Sequence, residues 1–293
     1  MKPAPFEYHA PTTIAEAVDL LERHGDEAKP LAGGQSLVPM LALRLARFEH
    51  LVDLNRVDEL RGVARTNGTL RVGAMTTQAT VEHDGDVARD VPLLAMATPL
   101  IGHFQIRNRG TVGGSLAHAD PASEYPAVAL ALDARFDVAS SSGTREVPAQ
   151  EFFEGTWQTA LGADDLLVAV RFPVWEGRCG FACDEVARRH GDFALAGAIA
   201  AVELDGSSNV TRAGIALFGM GPAPVRATDA EQALVGTHPA SDDDLRELGA
   251  LAVRDTAPVD DVHASASYRR RVGEYLARKT LRDAIRRAEE DIP

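Results

Sequence analysis

The chain has 293 residues, enough for two or three compact units with cores of their own. Hydrophobic residues at 45% and charged residues at 25% describe an ordinary globular protein, and a net charge of −13 excludes nucleic acid and anionic membrane surfaces as electrostatic partners. Two cysteines, Cys179 and Cys183, are too few for a four-cysteine iron–sulfur cluster or a disulfide framework, which points to a reducing, cytoplasmic setting.

Met1-Lys2-Pro3-Ala4-Pro5-Phe6-Glu7-Tyr8 has no apolar run of the signal-peptide kind, and no stretch reaches the ~20 apolar residues of a membrane span. A soluble protein without membrane insertion is expected. Thr13-Ile14-Ala15-Glu16 has the form of a capping box, with Ala17, Leu20 and Leu21 on one face of the helix behind it. Residues 29–32 read as a strand, 37–45 as a helix and 50–54 as a second strand. That β-loop-α-β pattern makes a first unit of residues 1–57.

A second unit, 58–175, opens with a hairpin of 61–66 and 69–74 around Asn67-Gly68, a favoured two-residue turn. Helices are expected at 91–102 and at 121–132, the latter with Pro121 in its first turn. Strands at 134–139 and 166–172 complete the unit. From 176 to 293 the texture changes to three strands (181–188, 196–204, 210–218) followed by helices at 227–235, 242–254 and about 267–290. Strands followed by helices predict an α+β layer with a three-stranded antiparallel sheet.

Two short clusters carry the strongest functional signal: Ala32-Gly33-Gly34-Gln35-Ser36, followed by Leu37, and Gly110-Thr111-Val112-Gly113-Gly114-Ser115. Paired glycines with a flanking hydroxyl let backbone approach a ligand and turn N–H groups toward it, as a phosphate or pyrophosphate requires. Neither cluster is a G-x-G-x-x-G fingerprint or a P-loop. Two loops far apart in sequence suggest a large anionic cofactor with two ends. In a chain this acidic, such a cofactor must be held by local amides rather than by a basic surface.

The second cluster continues as Leu116-Ala117-His118-Ala119-Asp120-Pro121-Ala122-Ser123-Glu124-Tyr125-Pro126. This run resembles the FAD-binding medium subunit of the molybdenum hydroxylases, the carbon monoxide dehydrogenase and xanthine dehydrogenase group. The resemblance extends over essentially the whole chain. It includes Glu185-Val186-Ala187-Arg188-Arg189-His190-Gly191-Asp192-Phe193-Ala194 and Ala264-Ser265-Ala266-Ser267-Tyr268-Arg269-Arg270.

The resemblance implies a two-part FAD-binding domain of the vanillyl-alcohol-oxidase type, followed by a C-terminal flavoprotein domain. It places Ala32, Gly33, Gly34, Gln35, Ser36 and Leu37 around the FAD diphosphate, with Gly110, Thr111, Gly114 and Ser115 on the other side. Ala117, His118, Ser123 and Glu124 fall where relatives touch the cofactor's far end or ribityl chain. Ile101 and Leu167 fall at flanking apolar positions, and Asp192 and Phe193 close to the isoalloxazine. Gln35 stands where many such subunits carry His, and both side chains can donate to an oxygen. Glu185 stands where some relatives place a Lys, so it is given no catalytic role.

Other candidates read more simply. His118 is a hydrogen-bonding or surface histidine, Cys179 and Cys183 are packing residues, and Asp242-Asp243-Asp244 after Ser241 is a helix N-terminus rather than a metal site. Phe193 is either a flavin cover or sheet core. The basic residues Arg269, Arg270, Arg271, Arg278, Lys279 and Arg282 form a solvated face or a docking surface on the last helix, with Val272, Leu276 and Ile285 to bury.

The resemblance implies an electron-transfer subunit: FAD in this chain, with the molybdenum cofactor in a large partner and [2Fe-2S] clusters in a small one, assembled as a dimer of heterotrimers. No catalytic acid or base is expected, and no metal. A stand-alone FAD oxidoreductase of the vanillyl-alcohol-oxidase type and a non-catalytic assembly subunit are the other readings of the same residues. The substrate and the electron acceptor are not written in this chain.

Overall fold

The computed structural model describes residues 2–238 and 241–290. Met1, residues 239–240 and the C-terminal end of the third expected unit, 291–293, lie outside them. The chain runs β1 (Glu7–His9), α1 (Ile14–His24), β2 (Ala28–Leu31), α2 (Leu37–Ala42) and β3 (His50–Asp53), in a parallel sheet of order β1-β3-β2. Thr13 caps α1 by accepting from the Glu16 N–H, but the reciprocal half of the expected box is displaced. The Glu16 carboxylate takes the Thr12 N–H and hydroxyl instead.

The next part holds β4 (Val63–Thr66), β5 (Thr69–Gly73), α3 (Gln78–His83), α4 (Gly85–Asp90), α5 (Pro92–Ala97), α6 (Phe104–Arg107), α7 (Val112–His118) and α8 (Glu124–Ala131). It continues with β6 (Arg135–Ser140), β7 (Gly143–Pro148), α9 (Ala149–Phe152), β8 (Phe153–Gly155), β9 (Gln158–Thr159) and β10 (Leu166–Pro173). Its five-stranded antiparallel sheet has the order β4-β5-β10-β6-β7. Asn67 and Gly68 both have positive φ, as the two-residue hairpin turn requires. The helix expected from Pro121 starts three residues later, with Ser123 at its N-cap position. Pro126 falls in the first turn, where a missing N–H breaks no helical bond.

The last part is β11 (Arg178–Ala187), β12 (Ala194–Leu204), β13 (Val210–Phe218), β14 (Val225–Arg226), α10 (Thr228–Leu234), α11 (Asp242–Ala252) and α12 (Ala266–Glu290). The sheet has four strands, not three, because the short β14 pairs with β13 at Ala216 and Leu217. Asp205-Gly206-Ser207-Ser208-Asn209 forms the turn between β12 and β13, and Ser241 with Asp244 makes a full capping box on α11.

β12 is a nearly unbroken apolar run and is buried almost throughout, as expected of a strand covered on both faces. Small residues make the covering possible. A Cβ on Gly180 would stand 2.6 Å from the Ala288 nitrogen of α12, and one on Gly214 would press into the Ala131 carbonyl at the end of α8. The main core therefore runs without a break from the five-stranded sheet through Phe136, Phe152 and Phe172 to Ile199 and Phe218.

The basic face of α12 is not simply solvated. Arg269 is only 7% exposed and donates to the Leu195 carbonyl and Asp261, while Lys279 and Arg282 pair with Asp184 and Asp242. These charges tie the helix to its own domain. Leu276 and Ile285 are buried as expected, and Val272 is partly so.

Candidate functional site

Two segments that are remote in sequence meet here. The first glycine cluster follows β2, where Gly34 turns at φ +73° and residues 34–38 wind into α2. The second leads into α7, capped by Thr111, whose Oγ1 accepts from the Gly114 N–H at 3.0 Å. A Cβ on Gly33 would lie 2.7 Å from the Arg109 carbonyl carbon and 2.8 Å from the Gly110 Cα. On Gly114 it would lie 3.3 Å from the Ala32 Cβ. The glycines are thus required where one loop rests on the other.

The loops look alike in sequence but differ in what they offer. The N–H groups of Gly33, Gly34, Gln35 and Ser36 donate to no described backbone or side-chain acceptor. Those of Val112, Gly113, Gly114 and Ser115 are all used, on the carbonyls of Thr76, Ala74 and Thr111 and on the Thr111 hydroxyl. The first loop therefore presents free amides. The second presents hydroxyls, with Ser115 Oγ 3.1 Å from Ser123 Oγ.

Supporting residues fix both loops. Asn55 Nδ2 donates to the Ala32 carbonyl at 3.1 Å, and Gln35 Nε2 turns back to the Gly33 carbonyl at 3.0 Å. Arg107 is buried, pairs with Glu82 at 2.7 Å and binds the Ile101 and Gly102 carbonyls, which holds the approach to the second loop. Gln78 Oε1 is buried against Gly110 with no donor among the described residues. Sequence reasoning missed Asn55, Gln78 and Arg107, because nothing in their spacing marks them as loop supports.

Beyond the hydroxyls lies a cleft of about 810 Å³, between the 120–122 turn, Thr156 and Trp157, and the C-terminal segments around 188–195, 219–222 and 257–269. That volume is in the range of small-molecule and cofactor sites. The His118 ring stacks on Trp157 with centroids 6.2 Å apart, and Trp157 Nε1 donates to Asp120 at 3.3 Å. Asp192 lines the cleft and pairs with Arg189 at 3.2 Å. Phe193, 72% exposed, also lines it and is no core residue. Gly191, at φ +85°, lets this loop pack against His103.

Of the remaining expected positions, Ala117 is exposed on α7 and Leu37 opens α2. Ile101 packs partly buried on the main core, and Leu167 lies within that core on β10. Cys179 and Cys183 pack on the same core, and burial pushes the Cys183 thiol well up.

Electrostatics resolve how an acidic wall stands beside an anion-binding cradle. Glu124, 7% exposed, has its carboxyl pushed up to about 8 by burial and then by the Glu185 charge. Burial and Asp184 push Glu185 up to about 7. Near neutrality Glu124 is largely protonated and Glu185 close to half so, which reduces their formal charge. Burial also lowers the His118 pKa, which keeps its ring neutral.

A carboxyl that binds its proton more tightly when folded contributes stability that is full below the unfolded value, near pH 4.5, and is lost as pH rises through about 8. Unfolding free energy should fall by up to about 1.4 kcal/mol per pH unit for each such group between these limits. Glu124→Gln should flatten that slope. Denaturant midpoints measured from pH 5 to 9 check this, and an unchanged slope contradicts the burial account.

A parallel three-stranded unit and an antiparallel five-stranded unit meeting at paired glycine loops, with a four-stranded sheet domain behind them, define a flavin-binding subunit. The family described as the FAD binding domain in molybdopterin dehydrogenase matches residues 4–175, and the CO dehydrogenase flavoprotein C-terminal domain matches residues 181–284. Subunit alpha of the 6-hydroxypseudooxynicotine dehydrogenase complex from Paenarthrobacter nicotinovorans is 40% identical over 98% of this chain and 97% of its own. The carbon monoxide dehydrogenase medium chain of Hydrogenophaga pseudoflava is 37% identical over 97% of this chain and 98% of its own.

Among solved structures, carbon monoxide dehydrogenase from H. pseudoflava, in a form lacking the Mo-pyranopterin moiety, matches with a TM-score of 0.95 at 38% identity, covering 98% of this chain and 99% of that one. Quinoline 2-oxidoreductase from Pseudomonas putida 86 matches with a TM-score of 0.92 at 36% identity, covering 98% and 99%. The chain belongs to the FAD-binding medium subunits of the molybdenum hydroxylases, the family of carbon monoxide dehydrogenase and xanthine dehydrogenase.

Proposed function

We propose that this chain takes electrons from [2Fe-2S] clusters in a small partner subunit onto FAD and passes them to an external acceptor, while a large molybdenum subunit oxidises the substrate. The observation that carries this reading is the junction of the two glycine loops, with free amides on one side and hydroxyls on the other. When bound, FAD supplies a ring that accepts electrons one or two at a time.

In this reading residues 32–37 hold the diphosphate through the amides of Gly33 to Ser36, and Gly110, Thr111, Gly114 and Ser115 close the cradle. Ala117, His118, Ser123 and Glu124 line the path toward the cleft. Ile101 and Leu167 supply apolar flanks, and Asp192 and Phe193 stand at the ring end. Residues 1–57 and 58–175 are the two FAD-binding parts, and 176–293 close over them. No side chain here need act as an acid or base, since the chain only binds and orients.

Relatives 35–42% identical to this chain are named for carbon monoxide, nicotine, caffeine and glyceraldehyde. Substrates so unlike one another fit a division of labour in which another subunit recognises them. We place the complex in the cytoplasm as a dimer of heterotrimers. Its test is electron exit. The native complex, reduced anaerobically with limiting dithionite, should reoxidise its clusters quickly on mixing with an acceptor, and reversible removal of flavin should leave them reduced. Equal reoxidation without flavin would contradict the assignment.

A further inference from the structure

Three histidines that the flavin site does not use come together at one end of the N-terminal sheet. His9 ends β1, His24 ends α1 and His50 opens β3, where it stands in register with Glu7 on one side and Ala28 on the other. One ring nitrogen from each histidine lies within 4.8 Å of the other two. His9 Nε2 is 3.1 Å from His50 Nδ1, and Glu7 Oε2 is 3.5 Å from His50 Nδ1 and 4.0 Å from His9 Nε2. The His24 ring stacks on that of His50 with centroids 3.7 Å apart.

We propose that His9, His24 and His50, completed by the Glu7 carboxylate, form a structural site for a divalent transition metal of the zinc class. Ligands held about 2.0 Å from a tetrahedral zinc stand about 3.3 Å apart, and the edges among His9, His50 and Glu7 already bracket that value. The fourth ligand needs only a rotation of His24 out of its stack, at the C-terminal end of α1, where the helix dipole favours a cation.

The carboxylates of Glu27 and Glu49 lie within the same reach of His50, where they can orient a metal-bound ring and add negative potential. Imidazoles with one carboxylate select zinc-like ions over magnesium or calcium. The site lies at the opposite end of β2 from the glycine loop, roughly 10 Å away along the strand. A metal there would staple β1, α1 and β3 together and take no part in electron transfer.

The test uses the full-length chain without a polyhistidine tag, stripped with chelator and titrated with Zn²⁺ against a chromophoric competitor. One Zn²⁺ per chain should bind saturably, and Co²⁺ should give the intense visible bands of a tetrahedral site. Added zinc should raise the melting temperature. His24→Ala and His9→Ala should each weaken zinc binding at least about tenfold while leaving the metal-free melt unchanged. Absence of saturable uptake by the wild-type chain, a Co²⁺ spectrum typical of octahedral water ligation, or full retention of affinity in folded His24→Ala would each overturn the proposal.

Discussion

Gly33→Ala should strip flavin from the chain. One added methyl group would press into the Arg109 carbonyl and come within 2.8 Å of the Gly110 Cα, so the two loops could no longer rest on each other. Backbone cannot yield as a side-chain tip can, and overpacking of this kind costs about 1–3 kcal/mol, or roughly ten- to a hundredfold in affinity. Because the displaced loop carries the free amides, the cost falls on FAD binding rather than on the core. Gly114→Ala should be milder, since its nearest clash is the Thr111 hydroxyl at 2.7 Å. Gly85→Ala, whose Cβ meets nothing within 4 Å, is the control. Flavin-to-protein ratios of the three variants decide the matter, and a full flavin complement in Gly33→Ala would refute the loop contact.

The second large effect lies where the C-terminal sheet meets the flavin-binding part. Gly214→Val places a residue with high strand propensity in β13, and on local grounds it should be harmless. Yet the Ala131 carbonyl occupies the space of its Cβ, and the Ala131 carbonyl carbon would stand 3.1 Å away. We expect the variant to lose at least about 3 kcal/mol of unfolding free energy, because α8 must lift from the sheet and open the shared core. Denaturant unfolding of the isolated chain measures it. Wild-type stability in this variant would mean that the sheet and α8 are not packed as described.

The elements legible in the sequence were those whose signal is local. Asn67-Gly68 dictated its turn, and Ser241 with the acidic run after it marked a helix start, whereas the double burial of β12 depends on the cores packed on its two faces and was not read. β7 was silent because four of its six residues are exposed on a sheet edge, leaving no alternation to read. The start of α8 was misplaced because Pro121 advertises a first turn that begins only after Ser123. Both glycine clusters were visible, but their unequal roles were not: which N–H groups remain free depends on Thr76 and Ala74, remote partners that spacing cannot reveal. The same holds for Glu124, whose proton is held by burial, and for the three histidines, which belong to three different elements.

The glycine loops also changed meaning. Their small size had suggested room for a pyrophosphate, whereas the geometry assigns Gly33 first to the contact between loops and only through it to the ligand. Likewise Phe193, open to two readings from sequence, stands exposed on the cleft wall. The acidic balance of the chain is met locally, by free amides and by carboxyls that burial keeps protonated.

The most direct test of the central claim is a cofactor census of the native complex purified through this chain. The account predicts one FAD per chain, recovered with two further subunits that carry molybdenum and iron. A chain that purifies alone with FAD and turns over its own substrate, or a complete complex whose medium subunit holds no flavin, would contradict it.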